Sequence, residues 1–160
     1  VREDRVACAK PSRRAARLGG SMPLMHEPLP DPALGAQLPK PERYDELRRR
    51  VAALLADEDD WLAALANASA AVYEWLPGLN WAGFYLRKDD RLILGPFQGR
   101  PACVRIEIGS GVCGTAVAEG ASQVVPDVHA FRGHIACDPR SRSEVVVPIR
   151  ASGPVKKAEN

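Results

Sequence analysis

The spacing of apolar residues changes at Pro77-Gly78, and this change constrains the fold more than any other feature of the sequence. Before it, two apolar stripes have helical spacing, one from Tyr44 to Leu55 and one from Trp61 to Leu76. After it, Trp81 to Leu86 is a run of aromatic and apolar residues, which is typical of a strand. Helices followed by strands predict an α+β domain.

Short apolar runs in the second half of the chain predict further strands, separated by polar or glycine-rich segments. These runs are Arg91–Leu94, Val104–Ile108, Ser122–Val125 and Glu144–Ile149. The glycine-rich segment from Gly109 leads into a short predicted helix that ends before Gly120. Residues 127–143 form a long polar loop, and such loops in compact domains are often functional. We expect one antiparallel sheet flanked by helices.

The two ends of the chain differ from this domain in composition. The first 20 residues carry six Lys or Arg and two acidic residues, and residues 21–39 are proline-rich without periodicity. We predict a disordered or poorly ordered tail over residues 1–39, one domain over residues 40–150 and a polar tail over residues 151–160.

Charge and hydropathy argue against several classes of partner. The net charge is +2 over 160 residues, which is too small to attract nucleic acid strongly. No run of 18 apolar residues is present, so we predict no transmembrane helix. The basic N-terminal segment lacks the apolar stretch of a secretory signal, and four cysteines are few for a secreted disulfide scaffold. We therefore expect a cytoplasmic protein.

Three cysteines, Cys103, Cys113 and Cys137, lie in or beside the predicted loops of the sheet. None forms a C-x-x-C pair, so neither a thioredoxin motif nor a zinc ribbon is present. A zinc site of Cys113, His129, His134 and Cys137 would have unusual spacing, and we predict no metal site. Buried structural cysteines and reactive thiols both remain open at this point.

Two of these cysteines have surroundings that favour a negative charge. Cys137 lies in a polar loop near His134, Arg140 and Arg142, whose positive charges would lower its pKa. Cys113 lies at the glycine-rich start of a short helix, where backbone N–H groups favour an anion, either the thiolate itself or a substrate carboxylate.

An aromatic pair on the first predicted strand suggests a binding surface. Side chains alternate along a strand, so Trp81, Gly83 and Tyr85 share one face. Two aromatic rings flanking a glycine would form a flat floor with a small gap, and sulfur packs well against aromatic rings. Ordinary core packing is the alternative.

The segments that contain these residues resemble the free methionine-(R)-sulfoxide reductases, which are GAF-domain enzymes. The resemblance covers residues 40–149 and is dense from Asn80 onward. The matching segments are Asn80–Leu86 (NWAGFYL), Leu94–Gly99 (LGPFQG), Pro101–Ile106 (PACVRI), Gly109–Ala116 (GSGVCGTA), Val124–Phe131 (VVPDVHAF), Gly133–Asp138 (GHIACD) and Ser141–Pro148 (SRSEVVVP).

The resemblance implies an L-methionine (R)-S-oxide reductase that uses thiol chemistry and no cofactor. It implies that free methionine sulfoxide is the substrate, that thioredoxin is the reductant and that the enzyme is a homodimer. The resemblance implies that Cys137 attacks the sulfoxide and that Cys103 resolves the resulting sulfenic acid. The remaining implied roles are disulfide exchange for Cys113, contact with the methyl-sulfur end for Trp81 and Tyr85, and substrate binding with proton donation for Glu144.

The resemblance also indicates a difference at the C-terminus. In the family, another strand with two acidic pocket residues and a closing helix follow the strand that matches Val145–Pro148. We expect a GAF-like antiparallel sheet that lacks these C-terminal strands, and we interpret the chain as a shortened, catalytically impaired reductase. The alternative is a non-catalytic GAF module that senses or binds a small molecule, which would not need Cys137 for binding.

Overall fold

The computed structural model describes residues 32–150, which contain helices and two antiparallel sheets. The helices are α1 (Pro32–Gln37), α2 (Lys40–Leu54), α3 (Trp61–Trp75) and α4 (Gly111–Glu119), with one 3-10 turn at Val128–Ala130. The strands are β1 (Trp81–Lys88), β2 (Arg91–Gly99), β3 (Arg105–Glu107), β4 (Gln123–Val125) and β5 (Glu144–Val146). The α+β prediction is confirmed. The tails predicted over residues 1–31 and 151–160 lie outside the described residues.

Helix α1 corrects the boundary of the predicted N-terminal tail, which the sequence pattern put at residue 39. The absence of a side chain at Gly35 lets this short helix lie against the indole of Trp75. The Arg43 guanidinium, from the first turn of α2, donates hydrogen bonds to the carbonyls of Gly35, Ala36 and Leu38 at 2.6, 3.0 and 2.8 Å. These contacts between separate segments stabilise a helix that has no apolar periodicity of its own.

Helices α2 and α3 follow the predicted apolar stripes. Asp60 caps α3, because its carboxylate accepts hydrogen bonds from the backbone N–H groups of Leu62 and Ala63, both at 2.9 Å. The fully buried Ser69 hydroxyl lies within hydrogen-bond distance of the Pro96 carbonyl at 3.1 Å, which joins α3 to β2. Helix α3 therefore packs against β1 and β2 of the first sheet, and α1 and α2 pack against α3.

The strands form two sheets, whereas a single sheet was expected. Strands β1, β2 and β3 form an antiparallel sheet in that order, and β4 pairs only with β5. The β1–β2 hairpin turns at Asp89-Asp90, and β2 continues to Gly99, beyond the predicted end at Leu94. Within residues 32–150, no strand of the first sheet pairs with a strand of the second, so backbone hydrogen bonds do not join the two sheets.

A small apolar core lies beneath the loops that carry the cysteines. Val112 of α4, Val125 of β4 and Val128 of the 3-10 turn are buried together, and Phe131 and Val146 pack against them. This core fixes the start of α4 relative to β5. No helix within residues 32–150 has the length and hydropathy that crossing a membrane requires.

Candidate active site

Cys103 and Cys137 form a disulfide across 34 residues, with their Cα atoms 5.7 Å apart. This is the pairing that the resemblance implies. Cys103 lies just before β3 and is half-buried, whereas Cys137 lies in the long loop and is exposed. Cys137 is therefore the residue of the pair that faces solvent, and Cys103 is the one partly enclosed by the fold.

Tyr85 holds the segment that carries Cys103. Its hydroxyl donates a hydrogen bond to the Cys103 carbonyl at 2.7 Å. Burial raises the pKa of Tyr85 to about 12, with smaller electrostatic contributions from Cys113 and Glu144. The hydroxyl therefore stays protonated, and remains a donor, throughout the neutral range.

Cys113 is the free thiol within residues 32–150, and it contacts Glu144. Its Sγ atom lies 3.5 Å from Glu144 Oε1, which places the start of α4 beside the first residue of β5. Burial raises the pKa of Cys113 to about 12, with further contributions from the Glu144 charge and hydrogen bond. The expectation that the helix start favours a Cys113 thiolate is therefore wrong, because desolvation and the neighbouring carboxylate outweigh the helix N–H groups.

The aromatic pair forms, and a third ring joins it. The Trp81 and Tyr85 centroids lie 6.0 Å apart with an interplanar angle of 28°, and Phe97 stacks on Trp81 at 5.7 Å and 15°. The backbone and Cβ of Phe97 fill the space beside Gly83, so the predicted gap in this floor is closed. The Trp81 Nε1–H is buried and has no hydrogen-bond partner among residues 32–150.

The structure places the predicted site residues in one continuous region. Tyr85 contacts the Cys103 carbonyl and the Trp81 ring, and it lies within electrostatic reach of Cys113 and Glu144. The disulfide attaches Cys137 to this group. A thiol pair, a carboxylate and an aromatic surface therefore share one side of the domain.

The charged residues near Cys137 differ from the expectation. Arg140 donates to both carboxylate oxygens of Asp138, with Nη2 2.9 Å from Oδ2, so its positive charge is paired with Asp138 beside Cys137. Hydrogen bonds from the Arg140 side chain, the Arg140 backbone and Asn80 hold the pKa of Asp138 well below its usual range. The His129 and His134 rings meet edge to face at 6.4 Å. Within the described chain, no group of three or more His, Cys, Asp or Glu residues could hold a metal ion.

Sequence reasoning missed three residues that fix the Cys137 loop, namely Asn80, Asp138 and Ser141. The Asn80 amide donates to Ser141 Oγ at 2.9 Å and to Asp138 Oδ2 at 3.3 Å. These contacts join positions 61 and 58 residues apart, and no local periodicity could reveal them. Their only sequence signal was their position within the segments that carry the family resemblance.

Comparison with known proteins identifies the family. No family model matches the chain. The free methionine-R-sulfoxide reductase of Escherichia coli strain K12 is 59% identical over 110 residues, which cover 69% of this chain and 67% of that protein. This chain belongs to the free methionine-R-sulfoxide reductase family.

Solved structures agree with this assignment. The free methionine-R-sulfoxide reductase of Neisseria meningitidis, solved in complex with its substrate, is 47% identical with a TM-score of 0.69, over 72% of this chain and 70% of that one. A Burkholderia vietnamiensis protein assigned as a GAF sensor is 54% identical, also with a TM-score of 0.69, over 72% and 73% of the two chains. The family fold is the GAF domain, which confirms the fold expected from the sequence.

Proposed function

We propose that this protein reduces free L-methionine (R)-S-oxide to L-methionine through Cys137, with Cys103 as the resolving cysteine. The observation that carries the proposal is the Cys103–Cys137 disulfide, formed between an exposed and a half-buried residue. A disulfide of this kind is the product expected when one cysteine takes an oxygen atom and the other displaces it as water. Membership of the reductase family supplies the substrate class.

The chemistry balances with these groups alone. The Cys137 thiolate attacks the sulfoxide sulfur, the S–O bond breaks, and the oxygen, with one proton, ends on Cys137 as a sulfenic acid while methionine leaves. The Cys103 thiol then attacks the Cys137 sulfur, which forms the disulfide and releases water. The Glu144 carboxylate takes up a proton from solvent and donates it to the departing oxygen.

The remaining residues shape the pocket. Trp81 and Tyr85 receive the methyl-sulfur end of the substrate, since a polarisable sulfur packs well against aromatic rings. Acidic groups suit the substrate ammonium, and the backbone N–H groups from Gly111 to Gly114 suit its carboxylate. Cys113 is a further thiol of the pocket, held protonated beside Glu144.

Recycling needs an external dithiol. One thiolate of thioredoxin attacks the protein disulfide to give a mixed disulfide, and its second thiol resolves that bond, so both protein cysteines are reduced. A reducing cytoplasm is the compartment in which this recycling takes place. We further propose that the active protein is a homodimer.

The test is methionine formation from the separated R and S sulfoxides, with and without thioredoxin and its reductase. We expect turnover of the R form only. Cys137→Ser abolishes the reaction, whereas Cys103→Ser gives about one methionine per protein before recycling stalls, because the sulfenic acid has no partner. Cys8→Ser is the matched control and retains full turnover. Turnover in Cys137→Ser would contradict the proposal.

A second candidate function is a GAF module that binds a small ligand without chemistry. The similarity to the Burkholderia protein assigned as a GAF sensor favours it. A sensor would bind methionine sulfoxide equally well in wild type and Cys137→Ser, with no methionine formed in either. Isothermal titration of both proteins, followed by amino-acid analysis of the sample, separates the two functions.

A further inference from the structure

Asn80 connects the loop that carries Cys137 to the strand that carries the aromatic floor. It lies immediately before Trp81, the first residue of β1, and its side-chain amide donates to Ser141 Oγ at 2.9 Å and to Asp138 Oδ2 at 3.3 Å. Asp138 directly follows Cys137. Two hydrogen bonds from one side chain therefore fix the residue next to the disulfide against the start of β1.

The turn that Asn80 contacts is already a compact unit. The Asp138 carboxylate accepts hydrogen bonds from the Arg140 backbone N–H at 2.9 Å and from the Arg140 guanidinium at 2.9 to 3.3 Å. The Ser141 N–H donates to the Asp138 carbonyl at 3.1 Å. Only 11% of the Asp138 side chain is exposed. The turn over residues 138–141 can therefore keep its own shape without Asn80, but Asn80 attaches it to the sheet.

Two further contacts, one on each side of this turn, hold the segment that carries Cys137. On one side, the Ile135 side chain packs over Gly111 at the start of α4. On the other, the Val128 N–H donates to the Arg142 carbonyl at 2.9 Å. The Asn80 contacts add a link to β1, which also carries Tyr85, whose hydroxyl holds the Cys103 carbonyl.

We propose that Asn80 is a positioning residue that keeps the Cys137 sulfur within bonding distance of Cys103. It does not contact the reacting atoms and acts through Asp138 and Ser141. With Asn80 in place, the Cys103 thiol meets the Cys137 sulfenic acid at a high effective concentration, forms the S–S bond and releases water. Without Asn80, the turn moves away from β1, and the disulfide closes less often although both cysteines remain.

The test measures the equilibrium between the reduced cysteines and the Cys103–Cys137 disulfide in glutathione redox buffers, with mass spectrometry of the linked peptides. This equilibrium needs no methionine sulfoxide, so it stands or falls separately from the proposed function. We expect Asn80→Ala to lower the closure constant roughly tenfold, since two hydrogen bonds near a charged carboxylate are lost. Asn67→Ala, an exposed asparagine on α3, leaves it unchanged.

A second control separates positioning from general stability. Ser69→Ala removes the buried hydroxyl between α3 and β2, so it lowers the free energy of unfolding without touching the loop. If Asn80 acted only through fold stability, Ser69→Ala and Asn80→Ala would change the closure constant alike. We expect Ser69→Ala to leave that constant within about twofold of wild type, because loss of a distant hydrogen bond does not move either cysteine.

An exchange of partners tests the contact itself and does not depend on Asn80→Ala folding. Asn80→Asp places one carboxylate against another, and we expect it to lower the closure constant more than Asn80→Ala does. Adding Asp138→Asn exchanges the two side chains, so that the amide at position 138 can donate to the carboxylate at position 80. The closure constant of the double variant should be at least about threefold higher than that of Asn80→Asp. A double variant no better than Asn80→Asp, or an Asn80→Ala closure constant equal to wild type, would overturn the proposal.

Discussion

The Cys113 thiol donates a hydrogen bond to the Glu144 carboxylate, with Sγ and Oε1 3.5 Å apart. The contact joins the start of α4 to the start of β5 across 31 residues. The three cysteines of the site are in different chemical states. Cys103 and Cys137 are joined to each other, whereas Cys113 is a buried thiol whose pKa is raised to about 12. We expect the reactivity of the cysteines toward alkylating reagents to follow this difference in chemical state.

We expect native Cys113 to resist alkylation at neutral pH. With a pKa of about 12, about one thiol in ten thousand is ionised at pH 8, and the thiolate is the reactive form. Iodoacetamide labelling of the oxidised protein, followed by mass spectrometry, should be slow at pH 8 and accelerate steadily as the pH rises toward 12. In urea the same thiol should react at an ordinary rate. Equal rates in the native and unfolded protein at pH 8 would contradict the contact with Glu144.

Replacing Glu144 by Gln should change two measurements in opposite directions. The negative charge of Glu144 raises the pKa of Cys113, so its removal lowers that pKa and speeds alkylation. The proposed proton donor is lost at the same time, so methionine formation should fall about 100-fold or more. Glu74→Gln, an exposed carboxylate on α3, is the control for both measurements. If alkylation speeds up while turnover is unchanged, Glu144 contacts Cys113 but is not the proton donor.

Helical periodicity was sufficient to predict α2 and α3. Helix α1 was missed because it depends on contacts with Trp75 and Arg43, which sequence spacing does not reveal. The strands were found, but their division into two sheets was not, since short apolar runs do not specify their partners. Strand β2 was predicted too short because Gly95-Pro96 interrupts its apolar pattern.

The candidate site was only partly predictable from residue chemistry. Alternation along β1 placed Trp81 and Tyr85 on one face, and their rings do stack. The Cys103–Cys137 pairing came from family resemblance, because spacing alone left the cysteines open to several interpretations. The protonated state of Cys113 was missed, since it depends on burial and on Glu144, two properties that exist only in the folded chain.

A side chain at position 83 should destabilise the sheet beneath the site. A Cβ on Gly83 would overlap the Phe97 Cβ and lie 2.7 Å from the Phe97 Cα and 2.8 Å from the Pro96 carbonyl oxygen. Backbone atoms cannot move aside, so Gly83→Ala should lower the free energy of unfolding by about 3 kcal/mol. Urea denaturation followed by circular dichroism measures the change.

Gly78→Ala is the matched control for this substitution. Gly78 has a φ of 84°, and a Cβ added there would have no neighbouring atom within 4 Å. Only backbone strain of about 1 kcal/mol is therefore added. Equal losses of unfolding free energy in the two variants would show that Gly83 is not held by close packing against β2.

Tyr85→Phe should distinguish the contribution of the Tyr85 hydroxyl from that of its ring. The ring still stacks on Trp81, so the KM for methionine sulfoxide should stay within about twofold. Loss of the hydrogen bond to the Cys103 carbonyl should lower the free energy of unfolding by about 1 kcal/mol at pH 8. Tyr73→Phe, a partly exposed tyrosine on α3, is the control and should change neither quantity. A large rise in KM would place the hydroxyl in contact with substrate.

The stability contributed by Tyr85 should disappear at high pH. Folding raises the pKa of Tyr85 to about 12, so the folded state holds this proton more tightly than the unfolded chain does. The contribution is therefore fully present below pH 10, the ordinary pKa of tyrosine, and is lost as the pH rises from about 10 to about 12. The difference in unfolding free energy between wild type and Tyr85→Phe should accordingly shrink from pH 8 to pH 11. A difference that stays constant over this range would mean that Tyr85 titrates alike in the folded and unfolded states, and that its hydroxyl is not held beside Cys103 in solution.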